Sequence, residues 1–286
     1  MLFYFLTIIC SFIILFPTTI LFFSIIKLSG YHSNFKYLLA CIFLNTILYF
    51  LTINCCYIAY LIKKNDIILL YNVEIRYVFT YGGVHFVQIF FIIERILAII
   101  LINKYEQFNS TIPYFAIFCH ILSYLIYGIQ RTIIVIFNIY EESLLIEITV
   151  LMLIAFLIYY MVFKNQKNKF LHNKLSFIKV DLSTKYQFIE NQKTYYIVTG
   201  LLLLFVTFTI ITNIIKILFT RFFDNILGSD TLNYIFFMGV FFKTSFTILY
   251  LLWKIPSLLK DVKKIFLFYF ILFYTKVTSD GSYLEN

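Results

Sequence analysis

The sequence is poor in charge, proline and glycine. Only 13% of its 286 residues are charged, and it contains three prolines, eight glycines and one tryptophan. A soluble domain carries roughly a quarter charged residues, so the composition excludes an ordinary soluble protein. In place of charge the chain is 62% hydrophobic, with 36 phenylalanines and 24 tyrosines. A single soluble core could not bury so many apolar side chains, whereas a bilayer can surround them.

The sequence also lacks the patterns of several kinds of chemistry. It has no glycine-rich phosphate loop, and its four histidines are scattered without metal-ligand spacing. The five cysteines all lie within apolar segments, which favours free thiols over a metal site. The net charge of +9 does not predict nucleic-acid binding, because the lysines gather in loops between apolar blocks. We therefore expect no enzyme activity, no cofactor, no metal and no nucleic-acid partner.

Seven apolar segments are long enough to cross a membrane. A spanning helix needs about 20 mostly apolar residues, whereas barrel strands would be about half as long and would alternate polar with apolar residues. The sequence therefore predicts an all-α membrane protein, a single seven-helix bundle over residues 1–286 in contact with the lipid bilayer. The predicted spans are 2–26, 37–62, 77–102, 113–137, 144–163, 196–219 and 233–255, followed by a cytoplasmic tail, 256–286.

The distribution of lysine and arginine predicts that the amino terminus is outside. In that orientation the cytoplasmic loops, tail and inner helix ends hold 16 of these residues, and the outer loops hold four. Positive residues accumulate on the cytoplasmic side of membrane proteins. The longest cytoplasmic loop, 164–195, contains seven lysines and ends in a capping-box pattern at 184–187. This pattern predicts that the sixth helix begins about two turns before the membrane.

A further apolar stretch follows Pro256, from Ile265 to Val277. Its 13 residues are too few to span a bilayer, so we expect a carboxy-terminal helix lying on the inner leaflet. An eighth span is the alternative.

Glu94 and Arg95 form an adjacent acid–base pair at the inner end of the predicted third helix. Charged groups at that depth cost several kcal/mol unless they are paired or reach the interface. Such a pair can hold the cytoplasmic helix ends together and release them when the bundle rearranges. The alternative is an interfacial ion pair that only ends the hydrophobic span.

Short motifs accompany this pair and the start of the predicted sixth helix. They are Glu94-Arg95-Ile96-Leu97-Ala98, the downstream Tyr105-Glu106, and Lys185-Tyr186-Gln187-Phe188-Ile189-Glu190-Asn191. Together they resemble the Glu-Arg-x-x-Ala, Tyr-Glu and Tyr-Gln-x-x-Glu-Asn signatures of nematode serpentine chemoreceptors, most closely those of the epsilon class. The specific motifs cover about twenty residues, and the topology covers the whole chain.

The resemblance implies a G-protein-coupled chemoreceptor in the plasma membrane, in sensory neurons. Such a receptor binds a small-molecule chemical cue from outside and signals to a heterotrimeric G protein. The chain departs from the commonest rhodopsin-like pattern, because its sixth helix lacks proline and its seventh lacks Asn-Pro-x-x-Tyr. A transporter or channel is the main alternative, although the sequence shows no related halves. The residues that the resemblance assigns to the switch and the G-protein-facing surface are Glu94, Arg95, Tyr105, Glu106, Tyr186, Gln187, Glu190 and Asn191.

Four polar residues within the predicted spans are candidates for a ligand pocket. Lys243 lies near the middle of the seventh span and should face the bundle interior, with Glu147 one possible partner. His85 and Gln88 lie two to three turns from Arg95, at a depth that commonly borders a ligand cavity. A structural ion pair for the lysine and interhelical hydrogen bonds for the other two are the alternatives.

Overall fold

A computed structural model describes most of the chain, and its regular structure is helical in every described part. The described residues are 2–64, 67–68, 74, 77–101, 105, 112–137, 141–172, 182–265 and 267. Seven helical segments among them are long and apolar enough to cross a membrane, which confirms the predicted class. These candidate spans are Leu2–Ile26, Ser33–Lys63, Val78–Ile100, Tyr114–Phe137, Ile146–Gln166, Phe188–Thr212 and Tyr234–Lys254.

The helices extend beyond the apolar segments at several ends. Their bounds are α1 Leu2–Ile26, α2 Ser33–Lys63, a π-helix Val78–Phe86 continued by α3 Val87–Ile100, α4 Tyr114–Phe137, α5 Glu141–His172 and α6 Leu182–Lys254.

The start and the end of α2 are fixed by local chemistry. His32 precedes the helix in an extended conformation, and its ring nitrogen accepts a hydrogen bond from the Asn34 backbone N–H at 3.3 Å. This contact satisfies one of the donors that a helix start leaves without a partner. The helix ends at Lys64, which adopts the left-handed conformation with φ 48°.

The third span begins as a π-helix, which the sequence pattern did not predict. Gly82 and Gly83 lie inside this segment, where they place few steric limits on the backbone. The Asn45 side-chain amide of α2 donates a hydrogen bond to the Gly83 carbonyl at 2.7 Å. A side chain that inserts into the backbone ladder in this way is a recognised cause of local π geometry.

The last two spans belong to one helical element, α6, that folds back on itself. Tyr250 donates a hydrogen bond to the Tyr196 carbonyl at 2.7 Å, although 54 residues separate them. A straight helix would place those residues about 80 Å apart, so the chain must reverse direction between the two spans. The sequence predicts a loop over 220–232, whereas the helical element includes this segment, which contains no proline.

The bundle has a central pair of helices and a lipid-facing rim. Of the 18 most apolar consecutive residues in each span, 67% are buried in α2 and in the third span, against 17% in α4. The exposed apolar residues of α4 include Phe118, Ile121, Leu125 and Ile129, which repeat every three or four positions along one face. That face is therefore suited to lipid, and α2 and the third span occupy the core.

The predicted carboxy-terminal helix falls mostly outside the described residues. The structure shows helix over 256–265, directly after Ile255. Of the stretch from Ile265 to Val277, only residues 265 and 267 are described, so its position on the membrane stays a prediction.

Candidate switch site and ligand cavity

A buried ionic cluster joins the end of α3 to the start of α6. We use this name for Glu94, Arg95, Tyr105, Glu190 and Thr194. The side chains of Glu94 and Arg95 are 0% and 1% exposed, and that of Glu190 is 3% exposed. Charges this deeply buried need partners, because removing them from water is costly.

The tightest contacts of the cluster lie within α3 and the segment after it. The Arg95 guanidinium makes a two-point contact with the Glu94 carboxylate, with Nε 2.5 Å from Oε2 and Nη2 bonded to Oε1. The Tyr105 hydroxyl donates a hydrogen bond to the same carboxylate. The guanidinium also lies 4.9 Å from the centre of the Phe35 ring, a cation–π distance. Two-point pairing of this kind is among the strongest side-chain contacts in proteins.

Contacts of the cluster with α6 are longer. Arg95 Nη1 donates a hydrogen bond to the Thr194 hydroxyl at 3.4 Å and lies 4.0 Å from Glu190 Oε1. Glu190 Oε1 also accepts a hydrogen bond from the His32 backbone N–H at 2.7 Å. Glu190 is therefore bonded to the segment before α2 and lies farther from Arg95 than Glu94 does.

Two side-chain amides tie the end of α3 to its neighbours. The Asn191 amide donates a hydrogen bond to the Ala98 carbonyl at 3.1 Å. The Gln166 amide of α5 donates a hydrogen bond to the Ile99 carbonyl at 3.0 Å. The last turn of α3 leaves carbonyl groups without helical partners, and these amides satisfy two of them.

The charge balance of the cluster affects the tyrosines around it. Two carboxylates surround one guanidinium, so the ionised cluster carries one excess negative charge. Burial, with Glu94 adding to it, raises the pKa of the Tyr105 hydroxyl, which keeps its proton for donation. Burial and the charge of Glu190 also raise the pKa of Tyr31, in the segment before α2.

The cluster contains four of the eight residues that the resemblance assigned to the switch, and a fifth, Asn191, lies beside it. Glu94 and Tyr105 bond to each other and to Arg95, Glu190 lies 4.0 Å from Arg95, and Asn191 is bonded beside them. Glu106 lies outside the described residues. Tyr186 and Gln187 belong to the first turns of α6, but their side chains lie outside the described part.

Sequence reasoning missed three participants in this site. Thr194 lies one helical turn after Glu190, a spacing that could have indicated a shared face. His32 contributes a backbone N–H, and Phe35 contributes only its ring face. Neither contribution leaves a charge pattern that a single sequence could display.

A cavity of about 50 Å³ lies toward the other end of the third span. It is bounded by α2, the third span and both spans of α6. Lys243 and His85, two of the four predicted pocket residues, line it. Gln88 is fully buried but does not line this cavity.

The suggested pairing of Lys243 with Glu147 is wrong. Glu147 is exposed and accepts a hydrogen bond from the Gln130 amide of α4 at 3.2 Å, and it does not line the cavity. Lys243 makes no ion pair with any residue that the structure describes, and its Nζ lies 5.1 Å from the centre of the Phe205 ring. The two residues lie on different helices, and a sequence pattern cannot show which face of α5 turns outward.

The chain matches the model of a known family. The family model described as Sre G protein-coupled chemoreceptor matches residues 62–283, which is well over half of the chain. The matched range includes the ionic cluster residues of α3 and α6 and the cavity residues of the third span and α6. No curated protein matches the sequence.

Proposed function

The chain belongs to the Sre G protein-coupled chemoreceptor family, and on this premise we propose that it is a receptor of the plasma membrane that binds a small-molecule cue and activates a heterotrimeric G protein. We place it in the epsilon class of nematode serpentine receptors, in sensory neurons. The amino terminus faces outward, which puts the lysine-rich loop 164–195 and the ionic cluster on the cytoplasmic side.

The observation that carries this proposal is the position of the two sites on shared helices. The cavity and the ionic cluster both involve the third span and the first span of α6. His85 at the cavity and Arg95 in the cluster are ten positions apart, which is about 15 Å along a helix. A ligand that repacks the cavity walls can therefore change the relative position of α3 and α6 at the cluster.

The difference in contact length within the cluster indicates where it opens. The Glu94–Arg95 pair joins neighbours on one helix, so a movement of α6 leaves it intact. The contacts of Arg95 with Thr194 and Glu190, at 3.4 and 4.0 Å, cross between helices and break first. Opening there exposes the guanidinium and the start of α6 to the cytoplasm, where a G protein can bind.

The ligand acts by favouring one of two bundle conformations. Its free energy of binding shifts the population only as far as its affinities for the two conformations differ. The ionic cluster stabilises the closed state, so an activating ligand must bind the open state more tightly.

The experiment that tests this proposal measures G-protein activation in a heterologous cell at matched surface expression. The wild-type chain is compared with Arg95→Ala while volatile and water-soluble odorants are screened. Arg131→Ala is the matched control, because Arg131 is paired with Glu74 at 2.5 Å in a partly exposed site toward the opposite end of the bundle. An exposed pair of this kind contributes about 0–1 kcal/mol.

A ligand-dependent response that Arg95→Ala changes and Arg131→Ala preserves is the expected result. A chain that reaches the surface, couples to no G protein and carries solute flux would replace the receptor with a transporter or channel.

A further inference from the structure

The cavity holds two hydrogen-bond donors that the described residues leave available. Lys243 lines it from the second span of α6 and makes no ion pair with a described residue. Thr209 lines it from the first span, is only 7% exposed, and its hydroxyl has no hydrogen-bond partner among the described residues. Buried hydroxyls in native proteins are normally satisfied, so the Thr209 hydroxyl, beside a partly exposed lysine that lacks an ion pair, indicates a missing acceptor.

Three other threonines that line the cavity have hydroxyls with hydrogen-bond partners, unlike Thr209. Thr46, Thr212 and Thr244 also line the cavity, and each donates its hydroxyl to a backbone carbonyl of its own helix, at 2.8, 2.7 and 2.8 Å. Their protons are therefore already used. The free donor of Thr209 stands out against three threonines in the same cavity whose hydroxyls are satisfied.

The charge of Lys243 points to an anion. Its Nζ lies 5.1 Å from the centre of the Phe205 ring, whose face attracts a cation but does not neutralise it. No acidic side chain lines the cavity among the described residues. The charged form of a lysine inside a membrane span is costly unless it is paired, and an anionic group in the cavity would stabilise that form.

The rest of the cavity wall is apolar, and its volume is small. Phe208, Phe236, Val84 and Val240 contribute ring and aliphatic surface. A cavity of about 50 Å³ has room for about three to five non-hydrogen atoms, so a three-atom carboxylate leaves space for one or two carbons.

We propose that this cavity binds a small carboxylic acid as its carboxylate, which pairs with Lys243 and accepts a hydrogen bond from Thr209, with its short hydrocarbon tail against the phenylalanines. This inference names the ligand class for the receptor proposed above and rests on that function. The same carboxylate makes both contacts because it presents two oxygens, each able to accept more than one hydrogen bond.

The test uses the purified full-length chain in lipid nanodiscs and measures melting temperature with added ligand. The probes are straight-chain acids from acetate to hexanoate, each compared with the primary amide of the same length. The acids should stabilise the chain at concentrations at least about tenfold below those of the amides, because only the acids supply the counter-charge. The effect should pass through a maximum along the series, since the cavity limits the tail.

Three variants separate the contacts. Lys243→Gln should abolish the preference for acid over amide, and Thr209→Val should weaken acid binding about fivefold to tenfold. Lys63→Gln, at the exposed end of α2, is the charge-matched control and should bind like the wild type. Without ligand, Lys243→Gln should melt no lower than the wild type, since it removes an unneutralised charge.

Equal stabilisation by acids and amides, or unchanged acid preference in Lys243→Gln, would overturn the proposal. Binding and signalling give separate outcomes. Acid binding without any G-protein response would contradict the receptor function but keep the ligand class, whereas G-protein activation only by neutral compounds would keep the function and overturn the ligand class.

Discussion

The two polar regions of this bundle differ in how their groups are satisfied. In the ionic cluster, each charged group has at least one partner, and the pair within α3 is bonded at two points. In the cavity, Lys243 has no ion-pair partner and Thr209 has no hydrogen-bond partner among the described residues. The satisfied region stabilises the bundle as it is, and the unsatisfied region gains most from an added molecule. A receptor needs both properties, because a ligand must work against a defined resting state.

The largest effect should come from removing the acid inside the cluster. Glu94→Gln leaves the buried Arg95 guanidinium with Glu190, 4.0 Å away, as its only described carboxylate, and breaking one side of a buried pair costs about 3–5 kcal/mol. We expect a strongly reduced melting temperature in nanodiscs. Glu147→Gln, which changes an exposed acid at the other end of the bundle, is the control and should change stability by less than about 1 kcal/mol. Equal losses in the two variants would contradict the description of the cluster.

The π-helix offers a second test through a pair of glycines. A Cβ at Gly83 would lie 2.5 Å from Asn45 Cγ, whereas one at Gly128 in α4 meets nothing within 4 Å. Gly83→Ala should therefore cost about 1–3 kcal/mol by overpacking. Gly128→Ala should leave stability unchanged or raise it by up to about 1 kcal/mol, because alanine favours the helix. Thermal unfolding of both variants checks this, and a stabilised Gly83→Ala would mean that Asn45 does not occupy this position.

Tyr105→Phe tests the cluster more gently, because it removes one hydroxyl and keeps every charge. Loss of a hydrogen bond to a charged group costs about 1.5–3 kcal/mol. Tyr114→Phe, which alters a tyrosine that is 60% exposed, should have almost no effect on melting temperature.

Tyr105 also predicts a pH dependence. Its pKa in the folded chain is raised above the value of about 10 for an unfolded tyrosine, so the unfolded chain loses the proton first. The stabilisation is complete below about pH 10 and is lost above it, by up to about 1.4 kcal/mol per pH unit. The difference in melting temperature between the wild type and Tyr105→Phe should therefore shrink between pH 8 and pH 11. A constant difference would place the hydroxyl outside the cluster.

The smallest expected change in stability comes from substitutions in the cavity, measured without ligand. Thr209 and Thr244 are similarly buried, but only Thr244 donates its hydroxyl, to the Val240 carbonyl at 2.8 Å. Thr209→Val should be neutral or stabilising by up to about 1 kcal/mol, since it removes an unsatisfied group, and Thr244→Val should cost about 0.5–1 kcal/mol. Thermal unfolding of the two variants under the same conditions compares their stabilities. A greater loss of stability in Thr209→Val than in Thr244→Val would mean that the Thr209 hydroxyl has a hydrogen-bond partner.

Different parts of this molecule were predictable for different physical reasons. The seven spans follow from length and apolarity alone, because the bilayer sets both. Glu94 and Arg95 stood out because charge is expensive at that depth, and Lys243 stood out for the same reason. The π-helix was not predictable, since it depends on the Asn45 amide reaching Gly83 from another helix. The failure of the Glu147–Lys243 pairing has a similar cause, because partner choice depends on helix rotation.

The central claim is that the cluster holds α3 and α6 together at one end of the bundle. Spin labels at Ile100→Cys and Lys193→Cys, both exposed positions, can report this distance in nanodiscs. The partly or fully exposed native cysteines, Cys10, Cys55 and Cys56, would be replaced by alanine.

The comparison is between this labelled chain and the same chain carrying Glu190→Gln and Asn191→Leu. These two changes remove the carboxylate that faces Arg95 and the amide bonded to Ala98. We predict a single short distance between the two labels in the chain without these changes. The chain that carries them should show a second population with a longer distance. Identical distance distributions would contradict the claim that these contacts keep the helix ends closed.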